Sequence, residues 1–133
     1  LGFKNILQSR ALLIDKGFSV LAPCSHMQTC PLQESESDWC HFVARNMRTK
    51  TQMFLKNAER GYEDEKFIYL IATKSERKEN DGQRIISRPQ LNGHILQFDV
   101  CTPEIVTPIK LYKKSDKSAF KIYKKAKRGE IYP

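Results

Sequence analysis

Four cysteines stand at positions 24, 30, 40 and 101 of this 133-residue chain, with intervening gaps of five, nine and sixty residues. Cys24, Cys30 and Cys40 sit in a cysteine-rich loop, residues 23–41, that holds Pro23 and Pro31 and is largely polar and aperiodic. A loop of that length needs something to hold it. Cys101 falls at the end of an expected strand, where sheet order brings its sulfur to a fixed place, so a thiolate site is assembled from a flexible lobe and a rigid anchor. Four thiolates satisfy a tetrahedral Zn²⁺ or the four irons of a [4Fe-4S] cluster. Either ties down a loop with little apolar material to pack. His26 and His41 are spare candidate ligands. The competing readings are buried free thiols, which are common, and two disulfides, which a chain this long does not need. Zinc ribbons show paired C-x₂₋₄-C knuckles and this sequence has none, so the irregular spacing leans toward a cluster.

The second chemical feature is charge. The chain has 23 basic and 15 acidic residues, a net of +8. Between Lys110 and Arg128 nine cations face the single Asp116, and the rest is neutral with 14 of each sign. A neutral body with one basic C-terminal element, residues 110–128, points to a polyanion. The candidate RNA contacts are Lys113, Lys114, Lys117, Lys121, Lys124, Lys125, Lys127 and Arg128, directed mainly at phosphate. Ala119, Phe120, Tyr123 and Ala126 form an apolar stripe through the same stretch, so a helix there docks on the body and turns its cations outward. A solvated lysine face is the alternative. Arg45, Arg48 and Lys50 extend the patch if the fold brings them near. Tyr112, Phe120 and Tyr123 are read as core rather than as base-stacking groups.

The elements that must position these residues follow from periodicity. Phe3, Ile6, Leu7, Arg10, Leu13 and Ile14 recur at helical spacing and Gly17 stops the pattern, which predicts a helix over 3–16. Phe18 to Ala22 reads as a short buried strand ended by Pro23. Trp39 to Ala58 has Phe42, Val43, Met47, Met53, Phe54 and Leu55 in helical array and predicts one or two helices. Glu63, Asp64 and Glu65 read as a solvated turn, and Phe67 to Ala72 as a central strand. Residues 74–83 form a polar loop. Strands are expected over Arg84 to Arg88, Gly93 to Cys101 and Ile105 to Tyr112. Leu96, Phe98 and Val100 alternate against Ile95, Gln97 and Asp99 in the middle one. A final helix is expected over Ser115 to Arg128. The fold class is α/β, one domain over 1–133.

Several chemistries have no support. There is no G-x-S-x-G, no H-E-x-x-H and no way to choose a base among His26, His41 and His94, the last read as a surface or edge residue. The six glycines include no G-x-G pair, so no adenosine- or phosphate-binding turn is available. No apolar run reaches the roughly 20 residues of a spanning helix. Neither a secretory nor an arginine-rich leader is legible, and the opening Leu1 is read as the mark of a processed, cut or partial product.

The strings AxxLLxxGFxVLAPCSHxxxCPL, SDWCHF, YEDEKFIYLI and HILQFDVCTPE, spread over nearly the whole chain, resemble the methyltransferase-like proteins of the mitochondrial small ribosomal subunit and their bacterial relatives. The resemblance implies that Cys24, Cys30, Cys40 and Cys101 hold a [4Fe-4S] cluster; from the residues alone Zn stays the alternative, and Trp39, next to Cys40, shields a cluster or packs in the core. The resemblance also implies the C-terminal half of a class I methyltransferase-like (Rossmann-type) fold, with S-adenosylmethionine bound only if an N-terminal half is supplied. Alone, the chain is expected neither to bind that cofactor nor to transfer a methyl group. Implied partners are small-subunit ribosomal RNA or ribosome assembly intermediates and an N-terminal methyltransferase half, with no membrane. The implied place is the bacterial cytoplasm or the mitochondrial matrix, not the secreted space. Ser25, where the family commonly has Pro, and Ile105, where it has Gly, depart from the pattern without removing a thiolate. The alternatives are a stand-alone zinc-binding nucleic-acid module and a degenerate remnant without activity.

Overall fold

The computed structural model describes residues 2–77 and 82–133. The expected first helix is α1, Gly2–Asp15. It ends where Gly17 takes φ 78°, a left-handed value that glycine reaches without Cβ strain. There the Gly17 N–H donates to Ile14 O and the Phe18 N–H to Leu13 O, both at 2.9 Å, the paired closure of a Schellman end. The short strand β1, Ser19–Ala22, follows as expected and leads into the cysteine-rich loop.

Beyond that loop the chain departs from the helical reading. Residues Phe42–Met47 form a strand, β2, and only Lys50–Leu55 is helical, as α2, with Thr49 and Gln52 closing a capping box at its start. The acidic trio is not a turn. It lies in β3, Tyr62–Phe67, which pairs antiparallel with β2 from Phe42↔Phe67 to Met47↔Tyr62. Arg45 and Asp64 pair at 2.7 Å, and Glu63 is shared by Arg48 at 2.8 Å and Lys56 at 3.1 Å. The two strands and the helix between them form an arm whose apolar residues cannot all be buried, and Phe54 is 84% exposed. The expected strand 67–72 is likewise split: β3 ends at Phe67, and β4, Ile71–Thr73, pairs with β1 instead.

The largest sheet forms from the C-terminal half. Its strands are β5, Gln83–Ile85; β6, Gln90–Asn92; β7, Ile95–Cys101; and β8, Val106–Tyr112. The single strand expected over 84–88 is therefore β5 alone, and β6 is an additional short strand. Both pair with β7, at Arg84↔Cys101 and Gln90↔Gln97, while β8 covers the other side of β7 along its whole length. Gly93 opens the two-residue β6–β7 turn with φ 60°, the sign that such hairpin turns require. The expected final helix is shorter: α3 is Lys117–Tyr123, and the chain then turns back into an unanticipated strand, β9, Ile131–Tyr132, paired with β5. The end of the expected loop 74–83, residues 78–81, lies outside the described residues. All strand pairings are antiparallel, so the molecule is mixed α/β with several sheets, and the parallel pairing of a Rossmann-type sheet does not occur among the described residues.

The alternation in β7 holds: Leu96, Phe98 and Val100 are buried, and they join Ile85, Leu111, Phe120 and Ala126 in one core. The apolar stripe read in the C-terminal segment is thus the face that packs. Phe98, Tyr123 and Tyr132 meet with ring centroids 5.0 to 5.7 Å apart, in the tilted and edge-on geometries aromatic rings favour.

The turn into β9 depends on Gly129, whose N–H donates to Ile85 O at 2.8 Å. Its φ is 93°, and a Cβ there meets Phe42 Cε1 at 2.7 Å. Gly129→Ala is therefore expected to destabilise the fold by about 1–3 kcal/mol through backbone strain and contact with the ring. A lowered denaturant midpoint checks this; an unchanged midpoint refutes it.

Candidate metal centre and basic face

The cysteine-rich loop has little regular structure, and its own short turns, Gln33 N–H to Cys30 O at 3.0 Å and Ser35 N–H to Leu32 O at 3.2 Å, account for few of its polar groups. Arginines from outside satisfy others. Arg10, on the inner face of α1 and only 6% exposed, donates from Nη2 to His26 O at 3.0 Å and Gln28 O at 2.8 Å. Arg84 of β5 donates from Nε to Pro23 O at 2.6 Å and from Nη1 to Gly129 O. Arg128 donates from Nη1 to His41 O at 3.3 Å, and Arg77 bonds just ahead of the loop, to Val20 O of β1 at 3.0 Å. The arginines were not singled out from the sequence as loop anchors. The signal was present in one case, since Arg10 interrupts the apolar face of Phe3, Ile6, Leu7, Leu13 and Ile14.

With the loop held this way, Cys24, Cys30, Cys40 and Cys101 all line one cavity, together with His26, Arg10, Arg84 and apolar side chains of α1 and Ile68, Leu70 and Ile86. Cys101 reaches it from the end of β7, opposite Arg84 on one side and Val106 on the other. All four cysteines are free and partly buried in this structure. Of the spare ligands, His26 is brought in: its Nε2 lies 3.5 Å from Cys101 Sγ. His41 is not among the lining residues; its Nδ1 lies 2.8 Å from Trp39 O and its ring meets that of Trp39 at 4.7 Å, tilted by 35°. Trp39 itself lines a neighbouring groove with Phe3 and Ile6 rather than this cavity. His94 is exposed at the β6–β7 turn, as read from the sequence.

Electrostatics favour neutral thiols until a cation arrives. Burial pushes Cys40 and Cys101 up to about 12, with the neighbouring cysteines adding to the shift, and burial also raises Cys30. Loading a metal therefore has to expel protons. His26 is shifted down, first by burial and then by the Arg10 charge, both of which favour the neutral ring. Two buried side-chain nitrogens of residues lining this cavity have no hydrogen-bond partner, Arg10 Nε and His26 Nδ1. No group of three or more His, Cys, Asp or Glu among the described residues is arranged to hold a metal ion. The thiols stand around the wall of a shared cavity. Four thiols on one cavity are the donor type that either a zinc ion or an iron–sulfur cluster takes.

The basic element lies along the exposed side of the C-terminal segment. Lys113, Lys114, Lys117, Lys121, Lys124, Lys125 and Lys127 are all exposed, and among the described residues none forms an ion pair. Asp116 accepts the Tyr112 N–H at 2.8 Å and the Ser115 hydroxyl at 2.9 Å, hydrogen bonds that hold its carboxyl below the usual range. Arg128 differs from the lysines: half-buried, it points inward to His41. Phe120 and Tyr123 belong to the core and its edge, while Tyr112 stays half exposed. Arg45 and Arg48 are met by Asp64 and Glu63 and add no free charge.

Fold and site together define a mixed α/β protein in which four thiols line one cavity and a lysine-rich face is exposed along the C-terminal segment. Over residues 1–133 the chain matches the family described as mitochondrial small ribosomal subunit Rsm22, and it belongs to that family. No curated protein matches it. Family membership ties the chain to the small ribosomal subunit. Among the described residues no helix is long and apolar enough to cross a membrane.

Proposed function

We propose that this chain is a methyltransferase-like small-subunit assembly or translation factor segment, equivalent to the C-terminal half of a class I methyltransferase fold, that holds a [4Fe-4S] cluster and contacts ribosomal RNA. The observation that carries the reading is the convergence of Cys24, Cys30, Cys40 and Cys101 on one cavity. The methyltransferase relationship rests on the sequence motifs and on family membership.

Cys24, Cys30, Cys40 and Cys101 would hold the cluster, which when bound supplies a covalent tie between loop and sheet. The chain's own residues do the rest. Arginines fix the loop carbonyls, the apolar wall of Phe3, Ile6, Leu7, Ile68, Leu70 and Ile86 excludes water, and Cys101 anchors the assembly to β7. A sheet tied down at that end gives the lysine face, whose Tyr123 ring meets Phe98 of the same β7 at 5.7 Å, a defined shape for phosphate. This links the two features functionally: the cysteine centre sets geometry, and the lysines supply affinity.

Anaerobically purified protein is expected to be brown, to absorb broadly near about 400 nm, and to contain iron and acid-labile sulfide in amounts matching one cluster. Stoichiometric zinc without iron refutes the cluster and leaves a zinc-binding nucleic-acid module.

A further inference from the structure

We propose that Arg10 is a positioning residue of the cysteine centre: its Nη2 locks the loop at two carbonyls, and its unpartnered Nε–H donates a hydrogen bond to a sulfur in the cavity. The second half of this inference rests on the proposed cluster; the first half does not.

The argument starts from cost. Arg10 occupies a position on the apolar face of α1 where Leu or Ile satisfies the pattern, yet it is a cation only 6% exposed. A buried charge is retained only where it is compensated. Among the described residues no carboxylate pairs with Arg10; its partners are two neutral carbonyls, His26 O and Gln28 O. Those carbonyls flank the chain between Cys24 and Cys30, so one guanidinium corner sets the spacing of two ligands. The corner leaves Nε–H buried without an acceptor. The cavity that Arg10 lines contains sulfurs and apolar carbon, with the Nε2 of His26 already beside Cys101. A thiolate or cluster sulfur is the acceptor chemistry available there, and four thiolates supply the negative charge that the buried cation lacks.

Arg84 approaches the same cavity from β5; it is half-buried and, like Arg10, bonded to carbonyls without a carboxylate among the described residues. Two cations from different elements thus share one thiol-lined space. Lysine cannot replace Arg10 in both duties. It retains the charge but carries one donor nitrogen, where the planar guanidinium directs two hydrogens to the carbonyls and a third elsewhere.

The test compares wild type, Arg10→Gln and Arg10→Lys, with two readouts. In the metal-free proteins, iodoacetamide alkylation of Cys24 and Cys30 is followed by mass spectrometry. Both variants are expected to react about tenfold faster than wild type because the loop is unlocked. In the iron-loaded proteins, the one-electron reduction potential is measured by titration with dithionite. Arg10→Gln is expected to fall by about 59 mV, a tenfold shift in the one-electron equilibrium, because losing a nearby positive charge disfavours adding an electron. Arg10→Lys is expected to keep most of that potential while releasing iron to a chelator faster than wild type. Wild-type alkylation rates in both variants overturn the lock. An unchanged potential in Arg10→Gln, at full iron content, overturns the hydrogen bond to sulfur. If wild type holds no iron, the cluster reading and the sulfur bond both fall, and alkylation alone decides the lock. Arg10→Lys carries the test if Arg10→Gln does not fold.

Discussion

Cys24→Ser, Cys30→Ser, Cys40→Ser and Cys101→Ser are each expected to lower the melting temperature by about 10 °C and to diminish the absorbance near about 400 nm. The size follows from what the loop has to hold it. Residues 23–41 contribute His26 and His41 as their buried polar side chains and no large apolar residue to the main core, so their order depends on arginine hydrogen bonds and on whatever the thiols bind. Loss of a metal ligand belongs to the mechanisms that exceed the usual 0.5–3 kcal/mol of a point substitution, and about 3 kcal/mol corresponds to roughly 10 °C in a chain of this size. Cys101→Ser tests the geometry most directly, since it removes the anchor on β7 while leaving the loop sequence intact. Calorimetry of the four variants beside wild type reads the effect. Equal stability in all five proteins would mean that the cysteines are inert buried thiols and that the cavity binds nothing.

The second large effect concerns RNA. Replacing Lys121, Lys124, Lys125 and Lys127 together by Gln is expected to weaken binding to small-subunit ribosomal RNA by at least about tenfold and to flatten its salt dependence. If about five cations meet phosphates, the logarithm of affinity falls with that of salt at a slope of about −3.5 to −4.5, depending on strand form. Removing four of the cations should bring the slope toward about −1. The structure makes this a clean comparison. All four side chains are exposed, and none has an ion-pair partner among the described residues. The residues that pack the segment, Phe120, Tyr123 and Ala126, are untouched. Any cluster spectrum should remain unchanged. Arg128 is left out of the substitution because its guanidinium bonds to the His41 carbonyl, and its loss would disturb the cysteine loop as well. Filter-binding isotherms across a salt series read both affinity and slope. Identical isotherms for the variant and wild type would reduce the lysines to a solvated face.

How much of this could be read without coordinates depends on how local the signal is. The strand at Ile95–Cys101 was legible because its alternation of Leu96, Phe98 and Val100 is a one-strand property, and one face of a pleated strand must be buried. The stripe Ala119, Phe120, Tyr123 and Ala126 was legible for the same reason, although its helix stops at Tyr123 and Ala126 packs from the turn beyond. The cysteine spacing and the charge count likewise need no partner to be seen. The family motifs extended that reading to the four thiols as one ligand set, and all four line one cavity.

What the tertiary structure decided lies where the partner is remote. Phe42–Met47 has apolar residues that suit either a helix or a strand, and the choice fell to β3, whose Asp64 and Glu63 meet Arg45 and Arg48 across the ladder. The same pairing turned an acidic stretch, apparently a turn, into strand. β9 is two residues long and exists because β5 offers it hydrogen bonds. Arg10 finds its carbonyls 16 and 18 residues away. Side-chain periodicity records which face of an element is buried, but backbone hydrogen bonds between strands and guanidinium bonds to loop carbonyls carry no periodicity of their own. They are settled only when the remote partner arrives, and in this chain that arrival determines both the arm and the locking of the cysteine loop.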